Sequence, residues 1–145
     1  MNKNTLIYKS YVPEQEGLRE ALCTLGNGYF ATRGAAEETW ADGVHYPGTY
    51  IAGGYKRLPS KVHDRIIINE DLVNFPNWLP LTFRVGRGPW FHPSKVKFLE
   101  YKQELKLLAG LLVRTLRFED KQGRKTRLVS RRFVHMAKPH YAGIE

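Results

Sequence analysis

Leu25-Gly26-Asn27-Gly28-Tyr29-Phe30-Ala31-Thr32-Arg33-Gly34 sets three glycines around one asparagine and one arginine, the kind of composition that can cradle a phosphate. Gly26-x-Gly28-x-x-Ala31 satisfies the dinucleotide fingerprint, whose third position accepts Ala. That chemistry needs a strand before the glycines and a helix N-terminus behind them. Tyr29 to Thr32 is β-prone instead, and no long amphipathic helix follows, so no βαβ unit can be drawn. The plain reading is a tight Asn27-Gly28 turn between two extended segments.

Paired-carboxylate acid–base catalysis places two carboxyl groups on opposite sides of the reacting bond. Glu37 with Glu38, and Glu70 with Asp71, are adjacent in sequence. On a strand such neighbours point to opposite faces, and on a loop their separation is open, so both pairs are read as solvated or structural. His45, His63, His92, His135 and His140 lack metal-type spacing, and Cys23 has no second cysteine, so no metal site is expected. No Gly-x-Ser-x-Gly nucleophile elbow occurs. No catalytic residue is nominated.

The elements that would hold a site are mainly extended. Thirteen glycines and eight prolines cut the chain into short segments, which suits antiparallel β structure better than a helical bundle. Leu111 to Glu119 and Arg124 to Met136 form the clearest hairpin, joined by Asp120-Lys121-Gln122-Gly123. Its cations, Arg114, Arg117, Arg124, Lys125, Arg127, Arg131 and Arg132, read as outer positions of a half-solvated sheet. Phe118, Phe133 and Tyr141 read as core rather than as a stacking surface for RNA. Leu79, Leu81, Phe83 and Val85 alternate as a strand would, with Pro80 placing it at an edge or a start. Phe98, Tyr101, Leu105, Leu108 and Leu112 fit one helix face, but Ala109-Gly110 interrupts them, so a strand, a glycine turn and another strand stay equally open. A short helix is expected over Pro13 to Leu22, with Leu18 and Leu22 spaced i,i+4 behind an acidic first turn.

The 145 residues fit one domain, and 42% hydrophobic with 26% charged residues excludes both a disordered tail and a membrane bundle. No apolar run approaches the roughly 18 residues that span a bilayer, and no signal-type stretch precedes Pro13, so a cytoplasmic location is expected. The formal charge of +9 comes from 23 basic against 14 acidic side chains, and all of the surplus falls after residue 60. A polyanion partner is one consequence to consider.

Three separated segments share an order: Leu25-Gly26-Asn27-Gly28-Tyr29 with Arg33-Gly34 and Glu37-Glu38 behind it, then Pro47-Gly48-Thr49-Tyr50, then Asn74-Phe75-Pro76-Asn77-Trp78. Gln103 to Phe118 and Ser130 to Val134 continue it. The chain resembles, from about Leu22 to His140, the amino-terminal domain of glycoside hydrolase family 65, the maltose, trehalose and kojibiose phosphorylases and their hydrolase relatives. Ala31 stands where a Gly is common, and Leu107-Leu108-Ala109 where the family tends to be polar.

The resemblance implies an all-β fold, an antiparallel β-sandwich of the galactose mutarotase-like type, incomplete within residues 1–145 and placed ahead of a helical toroid. It implies strands on both sides of Gly110. In that family the acid Glu and the phosphate-binding loop belong to the toroid, so the resemblance implies no catalytic residue in this chain, no cofactor, and inorganic phosphate as co-substrate of the complete enzyme only. An α-linked glucose disaccharide is the implied substrate of that enzyme. Loops of this domain approach the active-site mouth, and the segment from Ile68 to Trp78 is the expected contact. Aromatic rings stack on the C–H faces of a pyranose while polar neighbours orient its hydroxyls, which nominates Trp78, Tyr50 and Asp71 as substrate-binding residues. Unpaired strand edges of an incomplete sandwich predict self-association or a partner chain. The other reading is a freestanding basic β-domain that binds an oligosaccharide or a polyanion.

Overall fold

The structure is a computed structural model and describes residues 4–145. Strand β1 (Thr5–Tyr8) leads to helix α1 (Pro13–Leu22), and β2 (Leu25–Gly26), β3 (Phe30–Thr32) and β4 (Thr49–Ile51) follow. Then come β5 (Tyr55–Val62), β6 (Arg65–Leu72), β7 (Lys97–Lys106), β8 (Leu111–Glu119), β9 (Lys125–Val134) and β10 (Ala142–Ile144). They form a five-stranded sheet ordered β1-β7-β8-β9-β10, a three-stranded sheet β2-β3-β4 and a two-stranded hairpin β5-β6, with every pairing antiparallel. The fold is mostly β, built of antiparallel sheets, with one α-helix, the ten-residue α1, over the Pro13 to Leu22 span expected from the sequence. No helix among the described residues is long and apolar enough to cross a membrane.

The open choice around Gly110 resolves as strand, turn, strand. Gly110 takes φ 58°, a left-handed conformation that β-branched and bulky residues resist, and it closes a short 3-10 turn over Leu107–Ala109. The helical spacing of Phe98 to Leu112 was a coincidence of two adjoining strands: Leu105 pairs with Leu112 across the ladder. The hairpin β8-β9 turns at Asp120, whose carboxylate accepts from the backbone N–H of Gln122 and Arg124 and from Arg124 Nε. Leu79 to Val85 does not form a strand. Only an isolated bridge joins Arg84 to Trp90, Leu79 is buried, and Leu81 is exposed, because Pro80 removes a ladder donor and the Leu81 N–H is taken by the Glu37 carbonyl at 3.0 Å.

The inner face of the large sheet is banded. Leu105, Leu112 and Val134 pack with Cys23 and Leu25 at one end, while Tyr101, Leu116 and Phe118 pack with Phe91 at the other. Between these apolar clusters the register aligns Tyr8, Gln103, Arg114 and Ser130 across four strands, a polar row through the middle of the core. Arg114 and Arg132 therefore point inward and are buried, contrary to their expected outer positions; the two-residue period is right, and these two lie on its inward phase. Phe133 and Tyr141 are exposed rather than core for the same reason of phase or of loop position, and Phe118 is core as expected.

Helix α1 obeys its start signals, with Pro13 in the first turn and Glu14 and Glu16 behind it. Its faces are inverted relative to an ordinary amphipathic helix. Glu16, Arg19 and Glu20 are buried, and Leu18 and Leu22 are exposed. Each buried charge is partnered: Arg19 donates to Glu16 Oε1 at 3.1 Å, to Gln15 Oε1 at 2.8 Å and to the Ser10 carbonyl, and its guanidinium lies 4.7 Å from the Tyr8 ring centroid. Gly34 sits against the end of this helix where a Cβ would collide with Cys23, so the Arg33-Gly34 pair of the sequence motif marks a close backbone crossing.

Candidate functional site

The Asn27-Gly28 turn is built by its own side chain. Asn27 Oδ1 accepts from the N–H groups of Tyr29 and Phe30 at 3.1 and 2.9 Å, an Asx-type turn. Asn27 Nδ2 donates to the carbonyls of His135 and Pro139 at 2.8 and 3.1 Å, which ties the turn to the segment leaving β9. His140 is thereby brought edge-on to Tyr29, with ring centroids 4.4 Å apart. From the other side Trp78 reaches the same place: its Nε1 donates to Thr32 Oγ1 at 3.2 Å, and its ring meets Phe30 edge-on at 5.9 Å. The result is a shallow cavity of about 320 Å³ lined by Tyr29, Phe30, Ile51, Trp78, His140 and Ala142. It holds aromatic faces and one imidazole and no carboxylate, so it can stack a sugar ring and cannot itself supply the acid–base pair of glycoside cleavage.

The three residues nominated for sugar binding are not brought together. Trp78 is half-buried in this cavity. Tyr50 pairs with Ala31 in the β3-β4 ladder, whereas Trp78 touches Phe30 and Thr32 on either side of Ala31, so the Tyr50 side chain leaves the opposite face and lies over Gly48 and Arg33. Asp71 is exposed on β6, opposite Lys56. Among the described residues, no three His, Cys, Asp or Glu side chains gather as a metal site would require.

The adjacent carboxylates Glu37 and Glu38 sit on a turn and converge on the polar row of the sheet. Arg114 grips Glu38 through two parallel bonds, Nη1 to Oε1 at 2.9 Å and Nη2 to Oε2 at 2.5 Å, and lies 3.3 Å from Glu37 Oε2. Arg132 donates to Glu37 Oε1 at 3.0 Å and to the carbonyls of Arg33 and Ala35, while Ser130 Oγ donates to Glu37 Oε2 at 3.2 Å. All four charged side chains are buried, and their charges cancel. Burial pushes the Glu37 carboxyl up, but Arg114 and Arg132 outweigh it and hold the group below the ordinary glutamate range. These acids are structural, fastening residues 33–39 to the sheet; the Glu70 pair lies outside, with Glu70 exposed against Arg57 at 3.1 Å.

A second buried pair joins α1 to the loop before β4. Glu20 Oε1 lies 2.7 Å from His45 Nδ1, Glu20 Oε2 accepts from the Tyr46 N–H at 2.9 Å, and the Tyr11 hydroxyl meets His45 Nε2 at 3.2 Å. Burial pulls the His45 pKa down, but the hydrogen bond and charge of Glu20 outweigh it, so the imidazole titrates above its ordinary value of 6.5. A raised folded pKa contributes stability that is complete below about 6.5 and lost as pH rises through the raised value. Urea midpoints measured across this range should fall on the alkaline side, and His45→Gln should flatten that slope; a midpoint indifferent to the substitution contradicts the charged pair.

Of the residues around this cavity, sequence reasoning singled out Trp78 and the Asn27-Gly28 turn beside it, and did not single out Tyr29 or His140. Tyr29 adjoins the turn, a signal that was present in the glycine segment. Nothing local marks His140, which is set beside Tyr29 by the bonds of Asn27 to the carbonyls of His135 and Pro139 and by the turn that the His135 N–H closes onto the Tyr141 carbonyl.

Comparison with known proteins places this architecture. Residues 6–145 match the glycosyl hydrolase family 65 N-terminal domain. An uncharacterized glycosyl hydrolase of Mycobacterium tuberculosis is 45% identical over 141 residues, covering 97% of this chain and 11% of that protein. The kojibiose phosphorylase of Halothermothrix orenii is 31% identical over 126 residues, covering 87% of this chain and 15% of that one. A solved structure, a kojibiose phosphorylase candidate from the human microbiome, superposes with a TM-score of 0.83 at 24% identity over 95% of this chain and 18% of its own. The chain thus spans a small part of the length of the relatives it matches. With the family pattern matched over almost its whole length, the chain belongs to the N-terminal domain family of glycosyl hydrolase family 65.

Proposed function

We propose that this chain is a non-catalytic N-terminal domain of a family 65 α-glucoside phosphorylase or hydrolase, serving carbohydrate metabolism by supporting a helical catalytic body and lining part of its active site. On this reading the fold is an incomplete sandwich of the galactose mutarotase-like type, and the α-linked disaccharide and phosphate are held by the catalytic body. Trp78 is its point of contact with the sugar site, with Tyr29 and His140 beside it. Tyr50 and Asp71 do not share that cavity.

One observation carries the supporting role. Every residue of the β5-β6 hairpin except Ser60 is exposed, although it carries Tyr55, Leu58, Val62, Ile66, Ile67, Ile68 and Leu72. Register puts Ile66, Ile68 and Leu72 on one face with Tyr55 and Pro59, and Ile67 on the other with Leu58 and Val62. A two-stranded hairpin is marginal in water, and one that is apolar on both faces needs a body to pack on. Leu18 and Leu22 on the outward face of α1 add to the uncovered apolar surface. In a family-length polypeptide carrying this domain, Ile66→Lys with Ile68→Lys should reduce activity or domain association, and in the 145-residue chain it should leave the melting temperature unchanged. Unaltered activity and association in the long polypeptide would sink the proposal.

The second reading, a basic domain for a polyanion, draws on Arg117 facing Arg127 directly across the outer side of β8-β9. Binding of random oligonucleotides by the chain that falls steeply with salt would favour it.

A further inference from the structure

A second cavity, roomier than the one at Trp78, lies away from it, between the end of the β8-β9 hairpin and the loop before β7. It measures about 430 Å³, within the range of small-molecule sites. Its floor is aromatic: the Phe83 and Phe91 rings stack at 4.8 Å with 15° between planes, and Phe91 meets buried Phe118 at 4.8 Å. Trp90 stands at its edge, 59% exposed, with the Arg84 guanidinium 5.2 Å from its ring centroid. The loop that carries them is pinned by the Arg84–Trp90 bridge and by bonds from Phe91 N–H to the Phe83 carbonyl and from Gly88 N–H to the Val85 carbonyl.

The rim has the opposite character. Arg84, Lys95, Lys121 and Arg124 line it against the single acid Asp120, which is already bonded to Arg124. Among the described residues no salt bridge engages Arg84, Lys95 or Lys121. The cationic surplus of the C-terminal half, spread elsewhere over the sheet, is here gathered around an apolar hollow. A ring with a flat C–H or π face lies well on phenylalanine and tryptophan, and unpaired ammonium and guanidinium groups form charge-assisted bonds with phosphate oxygens. We propose that this cavity binds a small phosphate monoester attached to a flat-faced ring. The proposal stands independently of the role assigned to the domain above.

Sugar phosphates and nucleoside monophosphates share that chemistry, and titration calorimetry of the 145-residue chain separates them. Glucose 6-phosphate, AMP, glucose, adenosine and inorganic phosphate are each titrated at low salt. The expected result is that one of the two ring phosphates binds about tenfold or more tightly than its uncharged ring and than inorganic phosphate, each lost group being worth about that factor. Which of the two prevails identifies the ligand source. Trp90→Ala, at an exposed position, should weaken the ring phosphate about tenfold and leave inorganic phosphate unaffected, as loss of a stacking face would. Lys121→Glu, in the exposed turn, should weaken both. No binding of either ring phosphate, equal binding of inorganic phosphate, or binding indifferent to both substitutions overturns the proposal.

Discussion

Arg114→Ala should lower the unfolding free energy by about 3–5 kcal/mol, the cost of leaving a buried charge without its partner. The guanidinium is buried, and the carboxylates of Glu38 and Glu37 lift its pKa despite the burial that opposes it. Its removal leaves Glu38 with no side-chain partner among the described residues and Glu37 with only Arg132 and Ser130. Urea unfolding followed by tryptophan fluorescence measures the loss. The double substitution Arg114→Met with Glu38→Leu should recover most of it, because apolar residues of similar volume replace a buried ion pair at little cost. A single-variant loss below about 1 kcal/mol would mean that water reaches the cluster and that it is worth no more than a surface pair. Glu37 adds an acid limb with a definite sign. Its lowered folded pKa contributes stability present above the ordinary glutamate value and lost as pH falls through the lowered one.

Phe118→Ala should cost a comparable amount, about 3–5 kcal/mol, as a large ring removed from a packed core leaves a cavity that closes only in part. Phe118 is 1% exposed and touches both Phe83 and Phe91, so its loss loosens the loop before β7 as well as the sheet. Phe133→Ala is the control. At 43% exposure Phe133 should lose much less, and the difference between the two midpoints in urea reads the depth of burial directly.

These two phenylalanines also show what can be read from the sequence. Both sit in strands that alternation and the Asp120 to Gly123 turn identify, and both read there as core. The strand is visible locally, but the phase that turns each residue inward depends on which face the rest of the chain covers. The same missing information misplaced Arg114 and Arg132. Charged residues in a strand ordinarily mark its wet face, and nothing near them in sequence shows that Glu38, 76 positions before Arg114, and Glu37, 95 positions before Arg132, arrive to neutralise them. Helix α1 repeats the lesson: Pro13 and the acids fix its start, whereas its inward polar face is decided by His45 and the backbone of the loops it meets.

The site was legible in part. Asn27-Gly28 declares a turn by its own chemistry, and Trp78 follows a proline-bounded segment that the family pattern singles out. Tyr50 and Asp71 share those motifs but not that place, since one alternation in β3-β4 sends Tyr50 to the other face. Motif membership brings backbones together, and side-chain direction is settled one residue at a time. The cavity at Trp90 left no motif at all, because its lining comes from two separate segments, the loop over residues 83–96 and the hairpin end over residues 118–124.

Amide hydrogen exchange across residues 55–72 tests the supporting role most directly. In the 145-residue chain these amides should exchange rapidly, as the exposed β5-β6 hairpin requires, while those of β7 to β9 stay protected. In a family-length polypeptide carrying the same domain, the hairpin amides should become protected to the level of the sheet. Rapid exchange of the hairpin in both would show that nothing packs on it, and the assignment of this chain as a domain built to dock on a larger body would be contradicted.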